Sequence, residues 1–146
     1  MKASAQCECG QLKLEVSSPP VVQLVCHCKE CQAFSGSRFV NGAFFRKDDC
    51  QIEGKTSIET LIGGTGANKL HHSCSVCGDP IYVQVTALND AVAIQAEKLS
   101  PFKFSADAHV WTSQKASDTV IPEDVPQSPS SPPDDIVKRM VKSFFK

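Results

Sequence analysis

The stretch CHCKEC, residues 26–31, places three thiols within six residues, with His27 between the first two. Such a cluster can hold a structural metal, hold a metal for chemistry, or form disulfides. A closed structural zinc site takes four protein ligands, whereas a catalytic zinc site takes three and keeps one position open. The three thiols of Cys26, Cys28 and Cys31, called the trio below, therefore fit a catalytic zinc by ligand count.

A closed second site is the competing interpretation of the trio. It needs a fourth ligand from elsewhere in the chain, and the candidates are Cys50, His27, His71 and His72. Cys50 stands beside a predicted strand, where a core position is equally suitable, since unpaired cysteine is among the most buried residue types. His27 lies between two candidate ligands, so we expect its side chain to point away from their metal. There it is the candidate proton carrier.

Four further cysteines form two close pairs on either side of the trio. Cys7 and Cys9 precede Gly10, and Cys74 and Cys77 precede Gly78. A CxxCG segment is typical of a zinc knuckle, in which the glycine relieves crowding around the ion. Together the two pairs supply the four sulfurs of a closed structural site. Such a site would contribute folding free energy by joining distant parts of the chain.

Composition favours bound metal over disulfides. The chain has 146 residues, a net charge of −1 and eight cysteines. The N-terminus lacks the apolar region of a signal peptide, and no apolar run is long enough to span a membrane. We therefore expect a cytoplasmic protein with reduced thiols. The near-neutral net charge indicates no general attraction to nucleic acid, and it makes a membrane partner an unfavoured prediction.

Short apolar runs predict a mostly β fold. In residues 11–16, Leu12, Leu14 and Val16 alternate with polar neighbours, which is the period of a half-buried strand. The other predicted strands are 21–25, 39–45, 57–62, 81–85, 91–96 and 109–111. Many short strands separated by turn residues favour an antiparallel domain. The glycine-rich stretch 63–69 is predicted to be a mobile covering loop.

The composition changes toward the C-terminus. Residues 1–121 make up the predicted β domain, and the proline- and serine-rich residues 122–133 predict an extended or disordered connector. Residues 134–146 have apolar side chains at helical spacing and acidic residues in the first turn, which predicts an amphipathic helix. This helix would dock on its own domain or on the second subunit of a homodimer, or else bind a membrane surface or a partner.

The three cysteine motifs, in this order, resemble those of the glutathione-dependent formaldehyde-activating enzyme family, which includes centromere protein V-like domains. The segments that look like family segments are QCECGQLKLEV, CHCKECQAFSGSRF, SCSVCGDPIY and HVWTSQKASDTVIPEDVP. The resemblance covers roughly residues 5–127. Three positions depart from the usual pattern of the family: Ser73, the polar pair Ser117-Asp118, and Cys50.

The resemblance implies a zinc-bound β-tent fold of short antiparallel strands with two zinc ions per chain. In that fold the trio holds a catalytic zinc, and the structural zinc is held by Cys7, Cys9, Cys74 and Cys77. The implied activity is that of a carbon–sulfur lyase, which interconverts S-(hydroxymethyl)glutathione with glutathione and formaldehyde. A different glutathione conjugate or a secondary metabolite is the alternative substrate. A zinc-stapled binding module without catalysis is the alternative class of protein.

The carboxylates of glutathione would need basic partners. Arg38 and Arg46 flank the predicted strand 39–45 and are the candidate substrate-binding residues. A guanidinium group suits this role because it can bind a carboxylate through two parallel hydrogen bonds.

Overall fold

The structure, a computed structural model, describes residues 2–62 and 67–145. Within these ranges the chain forms ten strands and two α-helices, so the mostly β fold with a C-terminal helix is confirmed. The elements in chain order are β1 (Ala3–Gln6), β2 (Lys13–Val16), β3 (Val22–Cys26), α1 (Lys29–Ser35), β4 (Val40–Phe45), β5 (Cys50–Glu53), β6 (Thr56–Ile62), β7 (Asn68–Cys74), β8 (Pro80–Val85), β9 (Ala91–Gln95), β10 (Ala108–Val110) and α2 (Asp134–Phe144).

The strands make two sheets. A small sheet has the order β1-β2-β5, and a large sheet has the order β10-β3-β4-β9-β8-β7-β6. Neighbouring strands in these sheets are antiparallel except β10 and β3, which run parallel with Val110 opposite Cys26. The antiparallel prediction therefore fails for this one pair. Periodicity shows which residues of a strand are buried, but it carries no information about the direction of the neighbouring strand.

The main core lies between the two sheets. Leu14 and Val16 of the small sheet face Ala43 and Phe45 of the large one, and all four side chains are almost completely buried. Because side chains alternate along a strand, Phe44 points to the opposite face of the large sheet. The residues around the trio and the C-terminal helix pack on that second face.

Helix α2 covers part of the second face. Ile136, Met140 and Phe144 lie on one stripe of the helix and pack with Val22 and Leu24 of β3. The amphipathic helix thus docks on its own domain, which is one of the arrangements predicted from its pattern. Among the described residues, neither helix has the length and apolar character needed to cross a bilayer.

The segment before α2 runs alongside β10. The N–H of His109 donates to the carbonyl of Pro126 at 2.9 Å, and the carbonyl of His109 accepts the N–H of Ser128 at 2.9 Å. The N–H of Trp111 donates to the carbonyl of Ser130 at 2.9 Å. The sequence left extended and disordered states open for this connector. Its backbone hydrogen bonds favour the extended state.

Three strands and one helix are additional to the elements predicted from sequence. Strand β1 buries only the small side chains of Ala3 and Ala5, which give a weak β signal. Helix α1 has seven residues, too few for a clear helical period. The loop prediction for 63–69 is partly wrong, because Asn68 and Lys69 belong to β7. Residues 63–66 lie outside the described residues.

Candidate metal centres and adjoining cavities

The four paired cysteines meet where the β1–β2 turn approaches the β7–β8 turn. Their sulfur atoms all lie within 4.8 Å of one another. This four-cysteine cluster consists of Cys7, Cys9, Cys74 and Cys77. Each pair turns back at a glycine with a left-handed backbone, Gly10 at φ 80° and Gly78 at φ 77°, a conformation that costs glycine little. All eight cysteines lie in the described ranges, and all eight are free of disulfides.

N–H groups surround the sulfurs of the four-cysteine cluster. The backbone N–H of Leu12 donates to Cys7 Sγ at 3.2 Å, and Gln11 Nε2 donates to Cys74 Sγ at 3.2 Å. The backbone N–H of Cys77, the largest cause, lowers the pKa of the Cys74 thiol to about 6. Hydrogen bonds of this kind stabilise the thiolate, which is the form that binds a metal.

Asp79 links the two turns that carry this cluster. Its Oδ2 accepts the backbone N–H of Glu8 at 3.0 Å, and its Oδ1 accepts Lys98 Nζ at 2.8 Å. Neither Asp79 nor Gln11 was singled out from sequence. The available signal was their position directly after the glycine of a cysteine motif. Gln11 follows the CxCG segment, and Asp79 follows the CxxCG segment.

The trio lies where β3 passes into α1. Cys26 ends β3, Cys28 caps α1, and Cys31 lies in the first turn of α1. The sulfurs of Cys26 and Cys28 are 3.3 Å apart, and Cys28 Sγ also accepts the backbone N–H of Cys31 at 3.4 Å. Hydrogen bonds from the other two thiols hold the pKa of Cys28 well below its ordinary value. The contact with Cys28 raises the pKa of Cys26, and the contacts with Cys26 and Cys28 raise the pKa of Cys31, so Cys28 ionises first.

No fourth ligand joins the trio among residues 2–62 and 67–145: no other Cys, His, Asp or Glu ligand atom lies within 4.8 Å of all three sulfurs. Cys50 lies in the small sheet, where its thiol donates to the carbonyl of Arg46 at 3.5 Å and packs against the main core. Burial raises the pKa of Cys50 to about 12. The interpretation in which Cys50 closes the second site is therefore wrong, because its sulfur belongs to a different sheet.

The histidines near the cysteine motifs have separate surroundings. His27 is fully buried, and its Nε2 lies 2.9 Å from Nδ1 of His109. Burial lowers the pKa of His27 to about 4. His72 is bound by Thr56, whose Oγ1 lies 2.8 Å from its Nδ1. His71 instead lines the cavities beside the trio, so it is the histidine that a molecule at the trio would meet.

In the part of the chain that the structure describes, two cavities adjoin the trio. The smaller has a volume of about 40 Å³ and the larger a volume of about 180 Å³. The residues that line both are Cys31, Lys69, His71 and Trp111. The ammonium group of Lys69 also contributes to the low pKa of Cys28, after the hydrogen bonds from Cys26 and Cys31. A ligand at the trio would thus meet one cation, one imidazole and one indole.

Trp111 and His71 both carry signs of a functional position. Strand β10 ends at Val110, one residue earlier than predicted, because Trp111 has a left-handed backbone with φ 55°. Such a conformation is strained for a bulky residue and is concentrated at functional sites. His71 Nδ1 is buried without a hydrogen-bond partner among the described residues. Burial lowers the pKa of His71, which favours a neutral ring.

The two candidate arginines lie at opposite ends of β4. Val40 at the start of β4 lies opposite Cys26, so Arg38 is near the trio's end of the strand. Arg46 follows the other end, roughly 20 Å away at about 3.3 Å per residue, so the fold does not bring it to the trio. Arg38 is exposed and forms a two-pronged pair with Asp118, in which its Nε donates to Oδ1 at 2.9 Å and its Nη2 donates to Oδ2 at 2.6 Å.

Comparisons with known proteins agree with this architecture. The fold is similar to that of the crystal structure of a Rhodobacter sphaeroides protein, with a TM-score of 0.54 and 18% sequence identity, and the likeness covers 86% of this chain and 99% of that chain. No curated protein matches the chain. Residues 2–114 match the family model described as glutathione-dependent formaldehyde-activating enzyme, and this region includes both cysteine groups. Because that match spans most of its length, the chain belongs to the glutathione-dependent formaldehyde-activating enzyme family.

Proposed function

We propose that this protein is a zinc-dependent carbon–sulfur lyase that acts on an adduct of glutathione or of another small thiol, such as S-(hydroxymethyl)glutathione. One observation carries the proposal: three thiols converge beside two cavities without a fourth ligand from the described residues. That arrangement matches the ligand count of a catalytic metal site. The enzymatic name of the family supports the same conclusion.

The four-cysteine cluster fits zinc by its geometry, and the trio fits zinc by the type and number of its donor atoms. Four sulfurs about 2.3 Å from a tetrahedral zinc are about 3.8 Å from one another. The sulfur distances are 3.6 Å between Cys7 and Cys9 and 3.7 Å between Cys9 and Cys74. Thiolate ligands select zinc over magnesium or calcium. We therefore assign a structural zinc to the four-cysteine cluster and a catalytic zinc to the trio.

A zinc ion at the trio would supply positive charge that lowers the pKa of a thiol beside it. In the cleavage direction the C–S bond breaks and its electron pair stays on sulfur. The hydroxyl oxygen of the adduct loses its proton as the C=O bond forms, and formaldehyde leaves. The released thiolate then takes up a proton.

The residues around the cavities bind and orient the adduct in this proposal. Lys69 attracts the developing negative charge on sulfur. The unpaired Nδ1 of His71 accepts the hydrogen bond of the adduct's hydroxyl group. Trp111 covers the reacting atoms and limits the access of water. His27 takes a positioning role in place of the predicted proton transfer, because its ring is fully buried against His109.

Arg38 stays in the proposal as a partner for a glutathione carboxylate. Its pair with Asp118 is exposed on both sides, so exchanging one carboxylate for another costs little free energy. Arg46 leaves the proposal because it lies at the other end of β4.

The Cys28→Ser variant tests the proposal. We expect zinc to fall from two ions per chain to one, and the release of formaldehyde from S-(hydroxymethyl)glutathione to fall about 100-fold or more, because a catalytic metal contributes several kcal/mol to the reaction. The number of zinc ions per chain is measured by elemental mass spectrometry, and the rate of formaldehyde release is measured by a colorimetric assay.

Cys50→Ser is the matched control. It removes one thiol outside both cysteine groups, and we expect two zinc ions and wild-type activity. A fall to one zinc in this control would show a closed second site and overturn the proposal. A wild-type protein with two zinc ions that cleaves no thiol adduct would instead favour the non-catalytic, zinc-stapled binding module.

A further inference from the structure

The larger cavity beside the trio is more apolar than a hydroxymethyl group requires. Its walls include the side chains of Phe34, Phe44, Val83, Val85 and Ala93. The cavity has a volume of about 180 Å³. For comparison, a cavity of about 150 Å³ lined by aliphatic and aromatic side chains stays dry and binds benzene. The space therefore suits an apolar group of about that size.

This cavity has a polar part and an apolar part. Cys26 and Cys31 of the trio line it together with Lys69 and His71, whereas most of its lining from β4, β8 and β9 is apolar, with Gln95 as the polar residue of β9. Small-molecule sites commonly combine an apolar chamber with a few polar groups that fix orientation. A ligand with a polar sulfur end and an apolar end would match both parts.

The C-terminal segment completes the chamber. Pro132 and Met140 line it, and both lie beyond residues 2–114, which are those that the family model matches. Met140 is held in place because it lies on the buried stripe of α2 with Ile136 and Phe144. The connector and α2 therefore shape a cavity wall that neither cysteine group needs for binding a metal.

We infer that the substrate is a thiol adduct whose carbon part carries an apolar group of up to about six carbon atoms, a size set by the benzene comparison. The apolar group occupies this cavity, and the C–S bond lies at the trio's end. The inference rests on the proposed function and narrows its substrate class to the hemithioacetal of an apolar aldehyde. The C–S electron pair stays on sulfur, the proton lost by the hydroxyl oxygen ends on the released thiol, and the aldehyde leaves with its apolar group.

A series of S-alkylglutathiones tests the inference by calorimetry on the zinc-loaded full chain. Each added methylene is expected to tighten binding about threefold to fourfold, so that S-butylglutathione binds roughly 50-fold more tightly than S-methylglutathione. The gain should stop at about six carbon atoms, where the cavity is full. An affinity that does not depend on chain length would overturn the inference and leave the proposed function standing.

A methionine label gives a second, local measurement. The chain has two methionines, Met1 and Met140. We expect the ¹³C-methyl signal of Met140, assigned with a Met140→Leu sample, to shift when S-butylglutathione or toluene is added. Toluene has no thiol, so it reports on the cavity alone. A toluene shift without binding of any S-alkylglutathione would overturn the thiol-adduct assignment, and with it the proposed function. No shift with either probe would overturn the cavity assignment.

Two variants change the cavity in opposite directions. Ala93→Leu fills it, and the ratio of S-butyl to S-methyl affinity should fall toward one, whereas Ala116→Leu, outside the cavity, should keep the wild-type ratio. Met140→Ala enlarges the cavity, so the S-alkylglutathione that binds this variant most tightly should have a longer alkyl group than in the wild type. The unfolding midpoint shows whether each variant is folded. An unchanged ratio in folded Ala93→Leu, or an unchanged length preference in folded Met140→Ala, would overturn the inference.

Discussion

His27 and His109 face each other in the interior behind the trio. Their ring nitrogens are 2.9 Å apart, so one ring donates and the other accepts. Burial lowers the pKa of His109. Burial also lowers the pKa of His27. The electrostatic effects of His109 and Lys115 lower it further. Both rings are therefore neutral in the folded protein at neutral pH.

This pair predicts an acid-sensitive stability. A histidine whose pKa is lowered by folding binds its proton more readily in the unfolded state. Its contribution is complete above the ordinary histidine pKa of about 6.5 and is lost as the pH falls toward the lower folded value. We expect His109→Gln, which keeps an acceptor but does not titrate, to lose less stability than wild type between about pH 7 and pH 5.

Differential scanning calorimetry at several pH values measures this difference. Loss of metal in acid affects both proteins, so comparing their slopes isolates the contribution of the histidine. Parallel curves for the two proteins would contradict the prediction.

Helix α2 has one face that is buried against the large sheet and one face that is exposed. Ile136, Met140 and Phe144 are buried, whereas Val137 and Val141 of the same helix are exposed. An eleven-residue helix is marginal by itself in water, so its stability comes from the face that it packs on the large sheet. The carbonyl of Phe144 also accepts a hydrogen bond from Asn89 Nδ2 at 3.1 Å.

The two faces of α2 should respond differently to truncation. Phe144→Ala removes a side chain that is 4% exposed, and we expect it to lower the free energy of unfolding by about 3–5 kcal/mol. Val141→Ala, at 47% exposure, should change it by about 0.5 kcal/mol or less. Urea unfolding of the zinc-loaded proteins measures both. Equal losses for the two variants would show that the helix does not dock by this stripe.

At the scale of the whole molecule, the four-cysteine cluster joins parts of the chain that are far apart in sequence. Cys9 and Cys74 are 65 positions apart, yet their sulfurs are 3.7 Å apart. The cluster ties the turn of the small sheet to the β7–β8 turn of the large sheet. The trio, in contrast, lies within one local segment and joins no distant strands through its sulfurs.

Losing the zinc ion proposed for each group should therefore have unequal effects on stability. We expect Cys74→Ser to remove about 5 kcal/mol or more of the free energy of unfolding, a large share of the total for a domain of this size. Cys28→Ser should cost about 2 kcal/mol or less, because no long-range connection is lost. Urea unfolding in the presence of zinc measures both. A larger loss in Cys28→Ser than in Cys74→Ser would reverse the structural and catalytic assignments.

Much of this molecule could be predicted from local patterns. The alternation of Leu12, Leu14 and Val16 indicated a half-buried strand, and all three are buried. The spacing of the cysteines predicted the trio and each of the two cysteine pairs, because the members of each motif are close in sequence, and the count of four ligands in a closed zinc site predicted that the pairs meet. The i, i+4 stripe of α2 predicted its buried face. Each of these signals depends on residues within a few positions of one another.

Other features depended on long-range contacts and were decided by the tertiary structure. Lys69 and Trp111 come from strands and turns far from residues 26–31, yet they share cavities with Cys31. Cys50 lies in β5 of the small sheet, so it is not a ligand of the trio's site. Arg46 follows the end of β4 that is far from Cys26, so it does not reach a substrate at the trio.

The sequence by itself thus determined the donor atoms, the half-buried strands and the apolar stripe of the last helix, since these depend on the spacing of nearby residues. Only the tertiary structure decided which side chains surround the trio, the parallel pairing of β10 with β3, and the docking of α2 over an apolar cavity. Those depend on the order in which strands pair, which arises from the packing of the whole chain and leaves no periodic trace in any one segment.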